Sequence, residues 1–387
     1  MIQTARPVIG QDAGKLRRLL AINFFPAFTP PSSGGEQRYF YIYEYLSHHF
    51  DVTLVSATFP TAQFEEVVHS PRFREIRVPK PAEADAIHWQ LSSEGIGPEC
   101  SALALALASP FDNALSSLIG KLAPSMEVVI HASPFTVPYD KGMGVDGVAR
   151  VYDAYNVEYK LAEQIFSGGV GEKGARFVHF LEGELLAHAE AVLAISDDEA
   201  DTFVEEFGFA RDSIIPAPNG FEPSSTSIDV NVQRGRDVLF LGSAHPPNIE
   251  ALNYIVEVLA PALPDVHFNI LGSVCRAISG GVPGNVSLLG FVSEEEKSRL
   301  MAEAGVAINP LSSGAGTNLK MLDYLAHGVP VLSTPVGARG LPLVDGDDLR
   351  VRPLSEFPGA LMALLDDPEA ARAMARVGFE RVRERFS

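Results

Sequence analysis

Short apolar runs alternate with helix-length segments along nearly the whole chain, a pattern that predicts buried parallel strands layered with helices. Strands are expected at residues 18–23, 51–56, 127–131, 149–153 and 191–195. A Pro-rich loop to Ser33 leads into a helix over 35–48, and a long helical stretch covers 157–188. Residues 216–235, rich in Pro, Ser and Asn and without periodicity, interrupt the alternation and read as a linker. The alternation then restarts, with strands at 237–242, 266–272, 286–290 and 305–310 and helices over 249–259 and 294–304. Two doubly wound α/β sheets in tandem fit this better than one sheet of a dozen strands. The expected units are a domain at 1–222, a linker at 223–235 and a second domain at 236–387. Ligands of such sheets bind beyond the carboxyl ends of the strands, so two facing halves enclose a cleft.

Charge narrows the partners. The 387 residues carry 30 Lys and Arg against 49 Asp and Glu, a formal net charge of -19, which repels phosphate backbones and excludes nucleic acid as an expected partner. Residues 1–80 carry 9 basic and 7 acidic side chains, so membrane contact is expected only through this N-terminal part. Cys100 and Cys275, the two cysteines, lie too far apart for a zinc motif or a disulfide framework and read as core residues. No apolar run approaches the length of a membrane span, and no signal peptide is evident; a cytoplasmic protein, peripheral to a membrane at most, is expected.

Candidate chemistry concentrates between Ala307 and Thr334. A strand ends at Pro310, a small-residue loop covers Ser312 to Gly316, Thr317 reads as the N-cap of a helix and Gly328 as its stop. Free N–H groups at a helix start, with glycines that admit close approach, form an anion site. Lys320 adds a full positive charge suited to a diphosphate, and Asp323, one turn on, suits a ribose diol. The same residues would also fit an ordinary strand-to-helix turn with a solvated ion pair.

This segment resembles the retaining nucleotide-sugar glycosyltransferases of the GT-B fold, in the large group called family four. The matching residues are Ser313-Gly-Ala-Gly-Thr-Asn-Leu-Lys320, Asp323 and Gly328-Val-Pro-Val331, continued by Ser333-Thr334 and Gly337-Ala-Arg-Gly340. Further resemblances are Gly242 with Pro247-Asn248, Leu289-Gly-Phe-Val292, Ile215-Pro-Ala-Pro-Asn-Gly220 and Pro30-Pro-Ser-Ser-Gly-Gly-Glu-Gln-Arg38. The resemblance implies transfer of a sugar from a nucleoside diphosphate donor to an acceptor hydroxyl, with a glycan or lipid-linked glycan as acceptor and no metal or other cofactor. It implies a donor site made by Gly35, Gly242, Phe291, Val292, Gly314, Ala315, Gly316, Thr317, Asn318, Lys320 and Asp323. Lys320 and His131 are the implied catalytic residues, and Arg38, Asn156 and Glu158 lie on the acceptor side.

The chain also departs from the family. Where two glutamates usually stand eight positions apart, it has Ala315 and Asp323; in Asp153-Ala-Tyr-Asn-Val-Glu158, Tyr155 replaces a common histidine; and His131 is shifted from the family position. These departures keep open a GT-B nucleotide-sugar 2-epimerase and a non-catalytic nucleotide-sugar-binding protein. Relatives continue past a Phe-Ser pair like Phe386-Ser387, so the resemblance implies a chain truncated there. Asp345-Gly-Asp-Asp348 reads as a turn, no His/Cys cluster has metal spacing, and residues 26–35 lack the Gly-x-Gly-x-x-Gly of a dinucleotide site.

Overall fold

The computed structural model describes residues 16–386, apart from 30, 32–33, 98–99, 112–113, 145–146, 221–233 and 315–316. The first domain carries eight strands: β1 (Arg17–Asn23), β2 (Phe50–Thr58), β3 (Glu65–Ser70), β4 (Phe73–Pro79), β5 (Val128–His131), β6 (Ala149–Ala154), β7 (Ala191–Ala194) and β8 (Ile214–Pro216). Their order is β3-β4-β2-β1-β5-β6-β7-β8, parallel except for the antiparallel edge strand β3. The second domain carries β9 (Val238–Leu241), β10 (Phe268–Leu271), β11 (Val286–Gly290), β12 (Val306–Asn309), β13 (Val331–Ser333) and β14 (Arg350–Val351), ordered β11-β10-β9-β12-β13-β14 and all parallel.

Both central strands are buried on both faces, which is why they read as continuous apolar runs. In β1, Leu20 and Ile22 enter one core layer while Leu19 and Ala21 enter the other. In β12, Val306 and Ile308 face one layer and Ala307 its opposite. The chain reverses its direction of winding between β1 and β5 and again between β9 and β12, and the carboxyl ends at those points are the crevices of each sheet.

Several elements differ from the sequence expectation. The stretch 157–188 is two helices, Glu158–Ile165 and Gly168–His188, because Phe166 and Ser167 between them are extended. The β3–β4 hairpin was not predicted: its strand Glu65–Ser70 is polar and largely exposed, so it lacks the apolar run of a buried strand. The helix expected at 249–259 starts earlier, at Pro246, and passes at Ile255–Leu259 into a wider π turn. Of the expected linker, only Arg234 and Gly235 are among the described residues; the Arg234 guanidinium donates to the carbonyls of Met301, His327 and Gly328. The helix Pro368–Phe386 ends against the first domain, where a Cβ on Gly220 would lie 2.9 Å from the Phe386 carbonyl. No single helix among the described residues is long and apolar enough to cross a membrane.

Candidate functional site

A cleft of about 820 Å³ opens between the carboxyl edges of the two sheets. Its second-domain wall is built on glycine turns. After β10, Gly272 has φ +97°, and a Cβ there would come within 2.3 Å of the Gly242 carbonyl, so no other residue fits. Gly290 (φ +68°) and Gly314 (φ +128°) likewise take left-handed turns at the ends of β11 and in the loop after β12. These turns present backbone to the cleft beside the side chains of Leu241, Leu271 and Phe291.

The helix Leu319–Ala326 points its first turn into this wall. Thr317 is not its N-cap: Asn318 holds that position, and its side chain donates to the Gly337 carbonyl (3.0 Å) rather than to the helix. Thr317 instead lies against Gly340, its hydroxyl 3.5 Å from that carbonyl. The Asn318 side chain therefore leaves the first helical N–H groups uncapped and available to an anion. The helix stops as expected at Gly328 (φ +60°), with Val329 N–H on the Tyr324 carbonyl.

Lys320 bends inward. Its ammonium donates to Asn248 Oδ1 and sits 4.6 Å from the centre of the Phe240 ring. The amide of Asn248 in turn donates to the Ser243 carbonyl and hydroxyl, linking the loop after β9 to the lysine. No carboxylate pairs with Lys320 among the described residues, and burial lowers its pKa to about 7. A desolvated ammonium without a counter-ion is a site that an anionic ligand completes. Asp323 lines the same cleft, half-buried; burial raises its pKa, and the nearby Lys297 and His327 oppose that rise. Lys297 also lines the cleft, its ammonium 2.7 Å from Glu294 Oε2. Sequence reading missed Lys297, Asn248 and Asn219 as site residues; Asn248 had a signal in the Pro-Asn pair, whereas nothing local marks Lys297 as facing Asp323. Gly242, Phe291, Val292, Gly314, Thr317 and Asn318 all line the cleft; Ala315 and Gly316 lie outside the described residues.

The first-domain wall holds Gly35, Gln37, Arg38, Tyr155, Asn156 and Asn219. Arg38 is no free acceptor ligand. Its Nε and Nη2 donate to Asp153 Oδ1 (3.2 and 2.7 Å), and Nη1 to the Ala217 carbonyl (2.7 Å) and Asn219 Oδ1 (3.1 Å). Tyr43 donates to the other Asp153 oxygen, so this buried pair ties the first helix to the ends of β6 and β8.

His131 does not reach the cleft. It is fully buried, with Nδ1 2.8 Å from the Thr136 hydroxyl and Nε2 3.3 Å from Asp140, which also pairs with Arg150. Burial would raise the Asp140 carboxyl, but His131 and Arg150 outweigh it and hold it well below the usual carboxylate range. Its position at a strand end is thus structural, and the expected sugar contact is corrected. Glu158 is likewise buried behind Asn156, whose amide lies 3.4 Å from its carboxylate. Burial, with the charge of Glu182, lifts Glu158 to about 8. Burial also lifts Glu182 to about 7, although that carboxylate accepts from the Glu158 and Tyr159 N–H groups and the Tyr152 hydroxyl. Glu158 supports the first-domain wall rather than lining it. No group of three or more His, Cys, Asp or Glu side chains among the described residues could hold a metal ion.

Comparison with known proteins agrees with this arrangement. Residues 235–374 match the family model Glycosyl transferases group 1. The phosphatidyl-myo-inositol mannosyltransferase of Mycolicibacterium smegmatis is 28% identical over 203 residues, 48% of this chain and 52% of that protein. An uncharacterized 44.6 kDa protein of the cps region of Klebsiella pneumoniae is 25% identical over 249 residues, 59% and 62% of the two chains. The chain thus spans about half the length of the curated relatives it matches. Among solved structures, the sucrose-phosphate synthase of Thermosynechococcus elongatus superposes with a TM-score of 0.68 at 15% identity, covering 96% of this chain and 95% of that one. Anabaena HepE in complex with UDP gives 0.66 at 13% identity, with 96% of each chain covered. The fold is therefore GT-B, as the family resemblance implied, and its two facing Rossmann-like domains are those that the sequence pattern predicted.

Proposed function

We propose that the protein is a glycosyltransferase that moves a hexosyl group from a nucleoside diphosphate sugar to a hydroxyl of a glycan or lipid-linked glycan, with retention at the anomeric carbon. The observation that carries this reading is Lys320: a desolvated ammonium with no carboxylate partner among the described residues, set at an uncapped helix start beside the Gly272 and Gly314 turns. The mannosyltransferase relatives and the neighbours solved with UDP support a nucleotide-sugar donor; retention rests on the family resemblance.

The donor diphosphate lies against Lys320 and the N–H groups of Leu319 and Lys320, and Asp323 accepts from the ribose hydroxyls. Charge grows on the diphosphate as the glycosidic bond breaks, so these groups bind the transition state more tightly than the donor. Arg38 and Asp153 act through position, holding the first-domain edge against which the acceptor docks. Positive charge comes from the chain itself, so no metal is required. Calorimetry with UDP and GDP in EDTA tests this: one of them binds without metal, and binding seen only with Mg²⁺ or Mn²⁺ overturns the site. Incubation of the matching sugar nucleotide with an acceptor panel then releases nucleoside diphosphate. A donor left intact points instead to a binding protein, and a 2-epimerised sugar to an epimerase.

A further inference from the structure

We infer that the helix Ala82–Ser93 carries a binding platform for a neutral sugar residue of the acceptor, with Trp89 as its stacking surface. The inference rests on the proposed transfer reaction and names the acceptor chemistry that this site takes.

The helix follows β4, where Lys80 N–H is held by the Thr58 carbonyl at the carboxyl end of β2. Its far end is tied to the start of the helix Gly168–His188: Ser167 donates from its hydroxyl to the Gly95 carbonyl (2.6 Å) and from its N–H to the Ile96 carbonyl (3.3 Å). That long helix runs back to the amino end of β7, so its start lies on the carboxyl side of the sheet. Ala82–Ser93 is therefore a strap along the edge on which the cleft opens. Its inner side is held by buried Ala84 and by Leu91, which packs into the core with Phe24 of the loop after β1.

The outer side bears Trp89, the chain's single tryptophan, 71% exposed. Helical spacing sets Ala82, Ala86 and Ser93, all exposed, on the same side of the helix, and the His88 ring meets the indole edge to face (centroids 5.6 Å apart). Asp85, paired with Lys80 (2.8 Å), and Glu94, accepting from Gln90 (2.9 Å), precede and follow it, each with a second carboxylate oxygen that can accept. An open aromatic face with carboxylate and amide acceptors beside it matches a pyranose ring, whose C–H face stacks while its hydroxyls donate.

Charge argues against the other surface that exposed aromatics suit. The stretch 82–94 holds Glu83, Asp85 and Glu94 and no Lys or Arg, and Lys80 just before it is taken up by Asp85 (2.8 Å). An anionic lipid headgroup or phosphate would meet repulsion here, and an uncharged sugar would not. The platform stands outside the donor pocket, where it would hold a sugar unit remote from the reacting hydroxyl.

Because Trp89 is the single tryptophan, its emission reports its own surroundings. Maltotetraose, mannotetraose and cellotetraose are titrated against the full chain, alongside vesicles of phosphatidylcholine alone and with phosphatidylglycerol. At least one oligosaccharide should shift the emission saturably, and Trp89→Ala should weaken its binding by calorimetry tenfold or more while Trp89→Phe stays within about threefold. Neither variant should alter nucleoside diphosphate affinity. An emission shift with vesicles and none with sugars, no shift with either, or oligosaccharide affinity unchanged in Trp89→Ala overturns the platform. Failure of UDP and GDP to bind, with the sugar response intact, would instead count against the proposed transfer reaction alone.

Discussion

The carboxyl edges of the two sheets are built on opposite principles. In the first domain, the buried basic groups are answered by carboxylates: Arg38 by Asp153, and His131 and Arg150 both by Asp140. In the second, Lys320 is desolvated against Asn248 and an aromatic ring, and the strand ends are glycine turns that expose backbone. A closed network fixes shape and leaves nothing for a ligand, while an unanswered charge weakens the native state slightly and gains its partner only on binding. The paired charges of the first edge therefore serve stability, and under the proposed function the unpaired charge of the second serves recognition.

The sharpest way to break that comparison is Arg38→Ala. It leaves the Asp153 carboxylate buried with only Tyr43, and unfolding in urea should show a loss of about 3–5 kcal/mol. Arg38→Lys should rescue little, because one ammonium cannot span Asp153, the Ala217 carbonyl and Asn219 together. A loss below about 1 kcal/mol would mean that the first edge is not held by its charges.

Lys320→Met should do the reverse. Stability should change by less than about 1 kcal/mol, since the aliphatic stem is kept and no ion pair is lost. Binding of the nucleoside diphosphate should weaken by about 1.5–3 kcal/mol, the range for a charge-assisted hydrogen bond. Asp323→Asn should weaken nucleosides and nucleotides alike by about 1–2 kcal/mol, because it removes the carboxylate but not the side-chain volume. If both variants bind nucleotide like wild type, Lys320 and Asp323 are not the donor site.

The same contrast explains what was legible in the sequence. The second-domain site is mostly local: Gly314, Thr317, Asn318, Lys320 and Asp323 fall within ten positions, so a strand-loop-helix pattern displays them together. The first-domain site is assembled from afar. Arg38 meets Asp153 across 115 positions and Asn219 across 181, and neither partner is predictable from local pattern. His131 shows how that fails: its place at the end of β5 was read correctly from the apolar run, but its direction depends on Thr136 and Asp140 in the following turn. A strand's period gives the face, and at a strand end the next turn decides whether the side chain reaches the cleft. Thr317 erred for a related reason: the N-cap fell one residue later because the Thr317 hydroxyl and the Asn318 amide are both engaged by the segment after β13.

The smallest expected effect is the dependence of donor binding on pH. Burial lowers Lys320 to about 7, so in the free protein the ammonium is lost as pH rises through that value. A bound diphosphate stabilises the charged form and raises that pKa, so above pH 7 binding must take up a proton. Affinity for a nucleotide sugar should then fall with rising pH, by at most about tenfold per pH unit, or about 1.4 kcal/mol. The donor's diphosphate has no proton to lose in that range, so the nucleotide sugar is a cleaner probe than the free nucleoside diphosphate. Lys320→Arg keeps its charge throughout and should bind with an affinity that is flat between about pH 6.5 and 8.5. Calorimetry in two buffers of different ionisation enthalpy reads the proton uptake directly. Equal slopes for wild type and Lys320→Arg would show that Lys320 is already charged in the free protein, and the second edge would then be less starved of counter-charge than its geometry implies.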